Sequence, residues 1–301
     1  MIEDTKFNRN RAQVGTAIAV LDGNISISNS QFVKNNDSSQ SLSFGVILLF
    51  ESETNIDNST FIHNKGGVLV AKSSRFHVAR STYSHNIAHC GGVIFTSGSS
   101  FKITNSTFTN NSAYAGVLAS SESSFRITSS NFTHNSACVH DGGVMFILFS
   151  EFSLYTTTFT NNSAVEGGGV LSTEESSFNV TNSNFNNNSG TSQYGLVIWA
   201  HKSSFNIANC NFANNTAATD AVEVLYFAFR RSSSNITSST FTNNSGGVMT
   251  MSYLSLNIIN CTFTKNSAFI GAGVMSVLYE SSINIMTVSY THLTLPTIYS
   301  V

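Results

Sequence analysis

Apolar and polar positions along this chain follow one frame, repeated many times. An aliphatic residue is followed five positions later by an aromatic one, and three positions after that by asparagine. The aromatic of this F-x-x-N frame falls at Phe7, Phe32, Phe61, Tyr83, Phe108, Phe132, Phe159, Phe185, Phe212, Phe241 and Phe263, at intervals of 22–29 residues. The paired asparagines run from Asn10 to Asn266 and the aliphatics from Ile2 to Ile258. Before the next frame comes a glycine-led apolar segment, such as GGVLV from Gly66 or GGVIF from Gly91. At roughly 3.3 Å per residue this period suits three short strands joined by turns. A helical repeat would need apolar residues three and four apart, and the chain does not supply them. A single coil cannot bury its own apolar face, so coils must stack, about 4.8 Å apart, with equivalent side chains in columns. The pattern predicts an all-β parallel solenoid of about eleven coils, close to 50 Å long by that spacing.

The columns acquire physical roles on this reading. The F-x-x-N aromatics form an interior stack, each contributing about 1.5–3 kcal/mol on burial. A second aromatic row, Phe76, Phe101, Phe125, Phe152, Phe178 and Phe205, lies seven residues earlier in the middle coils. The asparagines are expected at a corner, tolerating left-handed backbone and bonding the amides above and below as a ladder. Length varies mainly between the asparagine and the glycines, which marks that turn as the place where side chains can differ without disturbing the core.

Composition narrows the class. The 301 residues carry 14 Lys and Arg against 16 Asp and Glu, a formal charge of −2 that argues against a nucleic-acid binder. Apolar runs such as GVILLF from Gly45 are too short to span a membrane and read as buried strands. The chain opens in mid-frame, and residues 288–301, which hold the single proline Pro296, break the grammar. The expectation is a β-helix over 1–287, a fragment truncated at both ends, with a non-native tail over 288–301.

Candidate chemistry is sparse. Cys210 and Cys261 share a column two coils apart, too far for a disulfide, and read as structural thiols. Cys90 and Cys138 are also two coils apart, in the variable turn. His85 and His134 occupy a position expected to face water. His140, Asp141 and Glu166 fall in the variable turn of adjacent coils and form the one acid–base constellation available for catalysis. Glu122, Glu175, Lys202 and Arg231 recur at one turn as an exposed charge ladder. The N-x-S/T sequons, at Asn105 and Asn131 among others, barely exceed chance in so Asn-, Ser- and Thr-rich a chain. No cofactor or metal site is expected.

The glycine-led strand carries the most specific surface signal. The residue after its valine is aliphatic in every coil, from Ile18 to Met275, whereas the next is mixed and includes Phe95, Phe146, Trp199 and Tyr226. Period-two alternation turns the uniform column inward and the mixed one outward, giving an aromatic strip for partner contact. The valine column shares the strip's parity yet is itself uniform, which this alternation leaves unexplained.

F-x-x-N alternating with G-G-[AV]-[ILVM] resembles the repeat pair of the chlamydial polymorphic outer-membrane proteins and related right-handed parallel β-helix proteins. The resemblance covers Ile2 to about Ile285. It implies a right-handed parallel β-helix, displayed at the cell surface or secreted, with a structural or adhesive role. In that family the β-helix is a passenger exported through a C-terminal membrane barrel. The implied partners are a glycan or protein of a host or neighbouring cell, and the rest of the parent chain. An alternative is a polysaccharide lyase or hydrolase on the same scaffold, with His140, Asp141 and Glu166 as its candidates. An ice-binding solenoid would need an outward threonine array, and Lys102, Arg126 and Asn179 interrupt the nearest one.

Overall fold

Each frame becomes one coil of a parallel β-solenoid in the computed structural model, which describes residues 1–12, 16–37, 45–88, 92–137, 143–165, 169–190, 197–217, 224–228, 233–268 and 272–291. Among the described residues the coils stack into three long sheets. The first has twelve strands, from Ile2–Glu3 to Ser282–Met286, and carries the aliphatic position of the frame. The second has twelve, from Lys6–Asn8 to Ser289–Thr291, and carries the F-x-x-N aromatics. The third has eleven, from Ile18–Leu21 to Met275–Leu278, and is built from the glycine-led segments. Pairing is parallel and in register, Phe108 on Phe132 and Ile103 on Ile127, so equivalent residues of the repeat are neighbours in space. Tyr290 follows the same register and stacks on Phe263.

Corners between the strands are made by residues in left-handed backbone. One such column precedes the second sheet (Asn29, Asn58, Arg80, Asn105) and another follows it (Lys34, His63, His85, Asn110). A third leads from the third sheet into the first, at Glu51, Ser73, Gly98 and Glu122. The F-x-x-N asparagine is thus not the left-handed residue. The turn is taken one position earlier, by an exposed side chain such as His85 or His134. This frees the asparagine to point inward.

The inward amides form a ladder that satisfies itself. Asn135 Oδ1 accepts the main-chain N–H of Asn111 and its Nδ2, both at 3.0 Å. Asn135 Nδ2 donates to Asn162 Oδ1 at 3.1 Å and to the carbonyl of Phe108 at 3.0 Å. The same pattern repeats along the column from Asn35 to Asn244. Two serine columns act alike: Ser59 Oγ donates to the carbonyl of Asp57 and accepts the N–H of Ser30 from the preceding coil. Cys210 and Cys261 are free, buried thiols in that serine column, and Cys210 Sγ bonds the carbonyl of Ala208 at 3.2 Å as a serine would. Cys90 and Cys138 lie outside the described residues.

Apolar packing fills the rest. The first aromatic stack runs from Phe7 to Tyr290 with centroids 4.5–5.4 Å apart. The second runs from Phe76 to Phe205 and then continues, 4.1 Å on, to Phe227, a residue of the third sheet. Side-chain volume explains the switch. In most coils the second-stack residue and an inward residue of the third sheet are complementary in size: Phe76 with Ala71, Phe101 with Thr96, Phe178 with Thr173, Phe205 with Ala200. Where the first sheet offers only Thr54 or Ser234, the third supplies Leu49 or Phe227. The coil of Phe152 departs from this exchange, since its partner is Ile147.

Candidate functional site: an aromatic strip and a polar groove

The valine puzzle is resolved by a bulge at the entry of the third sheet. The N–H groups of Val68 and Leu69 both reach the carbonyl of Val93, at 2.7 and 3.1 Å, and those of Val170 and Leu171 both reach Val197. Two consecutive donors sharing one acceptor let two consecutive side chains point inward, so Val68 and Leu69 are both fully buried, as are Val170 and Leu171. Before two of the valines glycine is required by contact: a Cβ on Gly92 would come within 2.6 Å of the Ile94 carbonyl, and one on Gly143 within 2.3 Å of the Gly169 carbonyl. Strict alternation resumes after the bulge.

Phe95, Phe146, Trp199 and Tyr226 therefore face away from the core. Their flanking residues are buried, the four rings are partly exposed, and none joins the core cluster. Register places them in one column, Phe95–Ala119–Phe146–Ser172–Trp199–Tyr226. Ala119 and Ser172 sit in the shadow of the larger rings, at 3% and 0% exposure. The Trp199 ring stacks on His201 at 5.6 Å, and His201 Nδ1 lies 3.1 Å from Glu174 Oε1. At the adjoining corner Lys202 pairs with Glu175 at 3.0 Å, two members of the expected charge ladder; Glu122 is exposed, and Arg231 lies outside the described residues. His140, Asp141 and Glu166 also lie outside the described residues. Among those that are described, no group of three His, Cys, Asp or Glu is placed to hold a metal ion. No described helix is long and apolar enough to cross a membrane.

Sequence reasoning missed a second surface. A groove of about 850 Å³ runs over the outer face of the first sheet, lined by Glu53, Arg75, His77, Lys102, Arg126 and Glu151 among others. Its floor is the outer edge of the second aromatic stack, where Phe76, Phe101, Phe125 and Phe152 are only 2–5% exposed. The available signal was Lys102 and Arg126 at the same step of adjacent coils, a recurrence that marks one outward column.

None of the curated proteins is detectably similar to this chain in sequence. The family described as the right-handed beta helix region does match, over residues 1–132 and 115–287. The sequence match and the stacked parallel sheets agree, and the chain belongs to that right-handed β-helix family.

Proposed function

We propose that this chain is a non-enzymatic β-helix module, displayed at a cell surface or secreted, that adheres through its aromatic strip. The observation that carries the reading is the outward column of Phe95, Phe146, Trp199 and Tyr226, held apart from the core on a rigid sheet. Such rings present a large contact area without loss of much conformational entropy on binding. The neighbouring Glu174, His201 and Tyr226 hydroxyl add polar groups beside the Trp199 face, a combination that suits a sugar ring better than a purely apolar partner. Surface display rests on the resemblance to exported passenger β-helices. No cofactor takes part, and the remainder of a longer parent chain is a further partner on this reading.

The test is binding of the purified chain to a panel of immobilised glycans and to cells, compared with a Trp199→Ala, Tyr226→Ala double variant. Loss of about 2 kcal/mol or more, near thirtyfold in affinity, is expected in the variant, with unchanged circular dichroism. Equal binding by both proteins would remove the strip from the mechanism. Chain cleavage during the same incubations, detected as new reducing or unsaturated ends, would favour a polysaccharide lyase or hydrolase instead.

A further inference from the structure

We infer that the outer face of the second sheet binds ice, a surface of ordered water, and so gives the module a function separate from adhesion. Four strands of that sheet read Thr-Phe-Thr: Thr107–Thr109, Thr158–Thr160, Thr240–Thr242 and Thr262–Thr264. The phenylalanine of each lies in the core, so both threonines point outward. In-register pairing sets them in two parallel columns, which Asn131 and Thr133 continue between the first two strands. These threonines are not on the column that Lys102, Arg126 and Asn179 interrupt, which belongs to the first sheet. The columns make a two-dimensional lattice of hydroxyl and methyl groups. Its repeats are about 4.8 Å from coil to coil and about 6.6 Å between alternate residues of a strand. Both are close to the two repeats of water molecules on a prism face of hexagonal ice.

The face suits a flat neutral lattice in three respects. It is nearly flat: successive rings of the stack beneath it, from Phe108 to Tyr290, are inclined by only 3–15°. Adjacent strands of an ordinary sheet rotate by about 20–25°. It is stiff, because a β-branched threonine is restricted at χ1 and loses little freedom on binding. It is uncharged: from Thr60 to Thr291 neither outward column holds a charged residue. The outer face of the first sheet, by contrast, carries Arg75, Lys102, Arg126 and Glu151. Docking on ice would strip water from such groups and return no counter-charge, so charge complementarity selects the neutral face. The outward columns also lack the aromatic and arginine anchors that dominate protein interfaces. Asn184, Asn186, Asn211 and Ala213 divide the threonines into two blocks. At that division Asn211 Nδ2 bonds Asn186 Oδ1 at 3.3 Å, and Thr240 Oγ1 bonds Asn211 Oδ1 at 2.8 Å. In the first block the hydroxyls of Thr107, Thr133 and Thr158 make no hydrogen bond among the described residues, which leaves them to water.

The test is partition of the full chain into slowly growing ice, with inhibition of ice recrystallisation measured alongside. Enrichment in the ice fraction and inhibition are expected of the parent. The Thr107→Lys, Thr158→Lys variant adds to the column a residue it already holds at Lys6. It should need at least tenfold more protein for the same inhibition, with circular dichroism and urea unfolding unchanged. Trp199→Ala and the Lys102→Asn, Arg126→Asn variant alter the other two sheets and should keep full inhibition, so this reading and the adhesive one fail separately. Exclusion of the parent from ice, or equal inhibition by the lysine variant, would overturn the site. Co-sedimentation with microcrystalline cellulose without partition into ice would overturn it too, in favour of a crystalline glycan.

Discussion

Two columns of polar side chains in this solenoid repeat at the same spacing and obey opposite rules. The inward asparagines, Asn35 to Asn266, are fully buried and hand hydrogen bonds from coil to coil. The outward His77, Lys102 and Arg126 are stacked just as regularly, yet each adds a like charge or a competing donor to the next. A column in a parallel solenoid is stable when each side chain is both donor and acceptor to its own copy. Amides and hydroxyls meet that condition. Lysine and arginine, with donors only, cannot meet it. Identity between neighbours therefore stabilises a column of amides or hydroxyls, inside or outside, as Asn257 and Asn235 show on the outer face, and destabilises a column of cations.

The sharpest way to break this contrast is to put the same substitution in both columns. Asn135→Lys buries a charge among amides with no counter-ion, and a loss of at least about 4 kcal/mol is expected in urea unfolding. Asn206→Lys, on the outer column of the first sheet, is expected to stay within about 1 kcal/mol of the parent. Similar losses at both sites would mean that inside and outside are not distinguished as described. Asn135→Ala is the milder version. It strands the Asn111 main-chain N–H, one Asn111 amide proton and the Phe108 carbonyl, and about 3 kcal/mol should be lost. Asn135→Asp keeps one acceptor but sets a buried carboxylate oxygen against the Phe108 carbonyl and Asn162 Oδ1, and should lose at least as much at neutral pH.

These columns differ in how far the sequence reveals them. The period, three strands per coil, the aromatic stacks and the existence of an amide ladder are all legible, because a repeat that must stack on itself displays its contacts as recurrence. Offsets of a single residue are not. Asparagine is the usual non-glycine resident of left-handed backbone, so Asn35 and Asn64 drew the turn onto themselves, whereas Lys34 and His63 take it. The bulge that turns Val68 inward with Leu69 is a hydrogen-bonding event, and nothing in an apolar run announces it. The size exchange between Leu49 and Thr54, or Phe227 and Ser234, joins two sheets across the interior and shows only once the sheets are in place. The strip Phe95, Phe146, Trp199 and Tyr226 was legible as a column; the groove was not, because what sets Lys102 and Arg126 apart is the lack of an ion-pair partner among the described residues, and ion pairing is a property of space.

Cys210 tests whether interior columns exclude charge in general. It replaces serine in a buried polar column, and burial pushes its thiol up to about 11 from 9.0. Below pH 9 the thiol is protonated in folded and unfolded chains alike, and its contribution to stability is fully present. Between pH 9 and 11 the unfolded chain releases the proton while the folded chain keeps it, so stability falls as pH rises through that window. The loss should approach about 2 kcal/mol in chemical denaturation. Cys210→Ser, which restores the usual resident, should reduce the slope from pH 9 to 10, leaving the part contributed by Cys261, whose thiol burial also raises. Burial also raises the Tyr83 hydroxyl, and that contribution remains in the variant at higher pH.

The smallest effect bears most directly on the outward column. If Lys102 and Arg126 repel each other across one strand spacing, the Lys102→Asn, Arg126→Asn variant should be more stable than the parent by about 0.2–1 kcal/mol at low salt. Added salt should narrow that gap, because the pair lies at a surface where ions screen it within about 8–10 Å. The same measurement separates two meanings of a gain. An increase that persists in 1 M salt would come from the new amides laddering with their neighbours, as Asn257 does with Asn235, and would owe nothing to charge. An increase that disappears with salt would show that the parent chain holds an uncompensated cationic column at the expense of its own stability, the condition under which binding an anion stabilises the fold.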